Sequence, residues 1–132
     1  MPDDTRRAGR SSPLTWLHRR ATIPGWSPLR DRLRTKLLAA PTVGRRSLGE
    51  QLVKLLDQYA GDLSETRRAV CEATYVSRAQ SERAFDAQMD CLGHRQQRLL
   101  LLAESVLEEP TLSPQATDLV GNLHRPQTCR AD

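Results

Sequence analysis

Three histidines, three cysteines and one closely spaced pair of aspartates are the side chains of this 132-residue chain that could carry out chemistry. His18, His94 and His124 lie in three different segments, and none has a cysteine or carboxylate at metal-ligand spacing. "DCLGH" places Asp90 and His94 at i,i+4, which makes one exposed pair and not a metal site by itself. Asp86 and Asp90 share the same spacing, as two catalytic carboxylates would, but a solvated helix face accounts for them more simply. No glycine-rich phosphate loop, nucleophile elbow or metalloprotease motif occurs. The sequence therefore assigns no catalytic, cofactor-binding or metal residue, implies no cofactor, and predicts a protein that is not an enzyme. Cys71, Cys91 and Cys129 are odd in number and widely spaced. That pattern argues against a disulfide scaffold and for thiols in a reducing, intracellular setting, cytoplasmic or nuclear.

Charge divides the chain. Residues 1–46 carry 11 Arg/Lys against 3 Asp/Glu, and residues 47–132 carry 9 against 13, so +8 in the first part meets −4 in the second. Arg19, Arg20, Arg30, Arg32, Arg34 and Lys36 stand out as a basic arm for an acidic partner, by charge attraction and counterion release. Trp16 and Trp26, set among arginines, are candidates for stacking on bases. The span from Thr5 to Ser47, with the single acid Asp31, has the composition of a mitochondrial transit peptide, although Asp3 and Asp4 argue against one. "RRATIP" puts Arg19 three residues before Thr22 and Pro24 two after it. It resembles a basophilic-kinase site and the Arg-x-x-phosphoThr-x-Pro form read by 14-3-3 adaptors, which makes Thr22 a candidate phosphosite.

These residues must be positioned by helices. Aromatic residues are few and no alternating strand pattern occurs. No apolar run reaches the roughly 20 residues that span a bilayer, and the first residues lack the apolar core of a secretory signal. Five prolines punctuate residues 1–46, leaving room for short helices at "SPLTWLHRR" and "SPLRDRLRTKLLAA", the second with Leu29, Leu33, Leu37 and Leu38 on one face. The main helix is predicted to start at "SLGE", where Ser47 and Glu50 have capping-box spacing. A break is favoured near Gly61, followed by a long helix from about Ser64 to Glu109, because no proline intervenes. A last short helix is expected from Ser113 to about Leu123, then a loose tail.

On that long helix Phe85, Met89, Leu92, Gln96, Leu99, Ala103 and Val106 follow the 4,3 spacing of a coiled-coil seam. Leu100, Leu102 and Leu107 widen the apolar arc to about 160°, more than a two-stranded seam needs. Leu101 falls in a polar file and reads as singly exposed. These ten seam and flank residues are the predicted protein interface, because the rest of the chain offers too little helix to cover them.

The sequence thus predicts an all-α fold: a long coiled-coil-type helix with a shorter N-terminal helix, as a helical hairpin or bundle component, and a basic disordered N-terminal arm. Its divisions are 1–46 (arm), 47–109 (helical region) and 110–132 (short helix and tail). The expected function is a non-catalytic adaptor or small subunit of a helical assembly, partnered by another helical chain as a homo- or hetero-oligomer. The alternative is a nucleic-acid-associated protein that dimerises through its helices and binds through its arm.

Overall fold

A computed structural model of the chain describes residues 23–109 and 114–130. Every regular element among them is helical: α1 (Trp26–Leu38), α2 (Val43–Tyr75), α3 (Glu82–Glu108), α4 (Gln115–Gly121) and a 3₁₀ turn (Pro126–Arg130). Among the described residues no helix is long and apolar enough to cross a membrane. α1 and the start of α2 fall inside the span 1–46 read as the arm, so the ordered body begins some twenty residues earlier than Ser47; residues 1–22 lie outside the described residues.

α1 follows Gly25, whose φ of 80° turns the chain through the left-handed region that glycine tolerates. Trp26, Leu29, Leu33 and Leu37 form its buried stripe at helical spacing. α2 does not start at the Ser47–Glu50 box. Thr42 caps it instead, its hydroxyl accepting the Arg45 amide at 3.2 Å, and Ser47 lies in the second turn.

α2 also runs through Gly61 without the expected break. The apolar file explains why. Leu52, Leu56, Tyr59, Leu63 and Val70 are all buried, and their period continues unbroken across the glycine. One exposed glycine costs about 1 kcal/mol against alanine, less than the burial of a single leucine returns.

The expected 46-residue helix is two helices. α2 ends at Tyr75, and Val76 to Ser81 reverse the chain. The Ser77 amide bonds Glu72 O at 2.9 Å and the Ala79 amide bonds Ala73 O at 2.7 Å, while Arg78 takes φ 55°. Ser81 then caps α3 by accepting the Ala84 amide. α3 therefore folds back along α2 as a hairpin, with Tyr75 and Phe85 meeting edge to face at 5.1 Å near the turn.

α1 lies across this hairpin. Gly49 permits its close approach: a Cβ there would sit 2.7 Å from Leu37 Cβ. Lys36 reaches the far end of α3 and donates to the carbonyls of Val106 at 3.0 Å, Leu107 at 2.5 Å and Glu109. A cation thus satisfies carbonyls that the helix end leaves free.

The end of the chain is not a loose tail. α4 and the 3₁₀ turn pack on α2 and α3, with Ala116, Val120, Pro126 and Cys129 buried. Cys129 is bonded to Cys91 of α3, so the expectation of three thiols is corrected; Cys71 alone is outside a disulfide, and it is buried. The crosslink spans 38 residues, which by loop-closure entropy stabilises the fold by about 4 kcal/mol.

Candidate functional site

The ten residues predicted as an intermolecular interface lie in or against the chain's own core. Leu92, Leu99, Ala103 and Val106 are buried, and Phe85, Met89, Gln96, Leu100, Leu102 and Leu107 are half-buried. α1, α2, α4 and the 3₁₀ turn all pack against α3. The sequence estimate failed because it counted one long rod and one short helix, whereas the hairpin supplies 33 residues of α2 as cover. Leu101 is 56% exposed, as its polar file implies.

Gln96, the polar member of the seam, has a partner inside the molecule. Arg67 of α2 is buried and donates from Nη2 to Gln96 Oε1 at 2.8 Å. Arg67 Nε is buried without a hydrogen bond, and burial lowers this guanidinium's pKa against the small opposing effect of Cys71. A second internal network joins Gln80 to Thr74 Oγ1 at 3.1 Å and to Gln88 Oε1 at 2.7 Å beside the interhelix turn.

The basic end of the molecule is built by α1 and the start of α2. Residues 26–46 carry six cations and one acid, Asp31. Three of the cations serve the fold. Arg30 pairs with Asp57 at 3.4 Å and with Asp31 at 3.6 Å, Lys36 caps α3, and Arg46 donates to Ala40 O at 2.9 Å. Arg32, Arg34 and Arg45 are exposed, and none makes an ion pair among the described residues. Arg34 and Arg30 face Lys54 across a cleft of about 390 Å³ that Glu50 and Asp57 also line. Trp26 is not free to stack on a base: it is buried and its indole donates to Asp57 Oδ1 at 2.9 Å. Trp16, His18, Arg19, Arg20 and Thr22 lie outside the described residues.

A second cleft, of about 260 Å³, opens between α2, α3 and the segment after α4. It brings His94 and His124 together with Tyr59, Arg95 and Arg98. The Tyr59 hydroxyl donates to His124 O at 2.6 Å. Desolvation raises the Tyr59 pKa, Arg95 opposes the rise and Asp62 adds to it. Sequence reasoning missed this cleft because its walls come from positions 59, 94–101 and 122–124, which only the hairpin and the disulfide bring together. Asp86 and Asp90 are exposed, and His94 Nδ1 sits 2.9 Å from Asp90 O and 3.9 Å from its carboxylate. Among the described residues no three His, Cys, Asp or Glu side chains gather as metal ligands.

Compared with known proteins, the chain matches no family model, no curated sequence and no solved structure.

Proposed function

We propose that this protein is a non-catalytic adaptor whose helical body is a self-contained platform and whose basic N-terminal third holds an acidic protein partner. One observation carries this reading. Residues 26–46 concentrate six cations against one acid, and Arg32, Arg34 and Arg45 are exposed and make no ion pair among the described residues. The 25 residues before them add five arginines and two aspartates, which brings residues 1–46 to +8. A surface of this kind draws in acidic partners and fixes carboxylates through bidentate contacts. The partner is moved from the seam of α3, which the chain fills itself, to this basic end. The reading in which the arm binds nucleic acid loses the support of Trp26, since that indole is committed to Asp57. The Cys91–Cys129 bond weighs against a reducing compartment, where such bonds are kept open.

Fluorescence anisotropy with a labelled polyglutamate peptide and a DNA duplex of equal charge tests the proposal. The full chain is expected to bind the peptide at 50 mM salt, more weakly at 200 mM, and R32E/R34E/R45E is expected to lose at least about ten-fold. Preference for the duplex would favour the nucleic-acid reading, and no binding to either at 50 mM salt would end both.

A further inference from the structure

The second cleft has an unbalanced wall. Arg95 and Arg98 of α3 line it together with His94 and His124, and no carboxylate does. Neither Asp90, whose carboxylate stands 3.9 Å from His94 Nδ1, nor Asp62, whose charge acts on Tyr59, lines the cleft. Arg95, Arg98 and Leu101 recur every third residue, so they share one stripe of α3. Among the described residues Arg95 donates one hydrogen bond, from Nη2 to Thr128 Oγ1 at 3.3 Å, its buried Nε has no hydrogen-bond partner, and its charge also acts on the Tyr59 hydroxyl. Arg98 is exposed and forms no ion pair among the described residues. Beside these cations lie Leu101 and Leu123, which give the cleft an apolar surface. Two guanidiniums next to an apolar ledge match a ligand with a charged head and a greasy body.

We infer that this cleft binds a small carboxylate bearing an apolar group, with its carboxylate at Arg95 and Arg98 and its apolar part on Leu101 and Leu123. A cleft of about 260 Å³ limits the occupant to fragment size. The far wall, Asn122 to His124, belongs to the terminal segment that Cys129 ties to Cys91, one helical turn before Arg95. The disulfide therefore keeps the site closed on that side, and the site exists in the oxidised protein.

The test is an NMR titration of the full, oxidised chain with phenylacetate, neutral phenylacetamide and inorganic phosphate. Phenylacetate is expected to shift the Leu101 and Leu123 amide signals saturably, with a Kd of about 1 mM, as its few atoms allow. Phenylacetamide and phosphate are each expected to bind at least about ten-fold more weakly, since one lacks the charge and the other the apolar body. R98Q, at an exposed position that the fold does not use, is expected to weaken phenylacetate about ten-fold while leaving the rest of the spectrum unchanged. C129S is expected to lose the binding while signals from α1 and the α2–α3 turn persist. Equal binding of the amide or of phosphate, or full affinity in R98Q, would overturn the inference. Full affinity in C129S would remove the role given to the disulfide-held wall.

Discussion

Arg67 is the most expensive side chain in the core. It is 9% exposed, and it has Gln96 as its hydrogen-bonded partner while Nε goes without one. A buried cation retained on a neutral amide is worth more as a constraint on register than as a source of stability. It fixes one contact between α2 and α3 that no sliding of leucines against leucines would define. Two variants separate these effects. Q96L removes the acceptor but keeps the guanidinium in place, and is expected to lower stability by about 2–3 kcal/mol. R67M/Q96L removes both polar groups and fills the space with apolar volume, and is expected to be as stable as the natural chain or more so. Urea denaturation reads both. A double variant less stable than the natural chain would mean that the pair stabilises the hairpin outright.

At the scale of elements, two glycines of α2 occupy opposite environments and should respond with opposite signs. Gly61 is exposed inside the helix with no atom near an added Cβ. G61A is expected to stabilise by about 0.5–1 kcal/mol, from propensity alone. At Gly49 the new Cβ would meet that of Leu37 at 2.7 Å, so G49A must push α1 away from α2, with an expected loss of about 1–3 kcal/mol. Thermal unfolding of both variants checks the pair, and a stabilising G49A would show that α1 does not pack as closely as described. The same two glycines mark what the sequence made legible. The stripes Trp26–Leu29–Leu33–Leu37 and Leu92–Leu99–Val106 are periodic and buried; the sequence reading put Leu29, Leu33 and Leu37 on one face, but it added Leu38, which is exposed, and gave Leu92, Leu99 and Val106 to another chain. Gly61 misled because local propensity suggests a stop that tertiary burial overrides. The turn after Tyr75 stayed hidden because it uses neither proline nor glycine, only backbone bonds to Glu72 and Ala73 and a serine cap. The Tyr59–Arg98 cleft was illegible for a different reason, since nothing local to any one of its walls predicts the others.

For the whole molecule, the hairpin decides how much surface is left for association. Once α1, α2, α4 and the 3₁₀ turn have covered the face of α3, the large apolar side chains still exposed among the described residues are Leu38, Val43, Tyr75, Val76, Leu101 and Leu119. Leu38 and Val43 flank the turn between α1 and α2, while Tyr75 and Val76 sit at the other end of α2, about 50 Å away at 1.5 Å per residue. Leu101 and Leu119 belong to two further helices. Two pairs at opposite ends of α2 and two single leucines are a small apolar area beside the roughly 800 Å² per partner of a stable interface. The chain is therefore expected to sediment as a 14.9 kDa monomer at tens of micromolar, in low and high salt alike. An acidic partner at the basic end would then add mass in a salt-dependent way, because charge rather than apolar area drives that contact. A stable dimer of the chain alone, insensitive to salt, would mean that the helical faces open toward a second copy and that the hairpin is not their final cover.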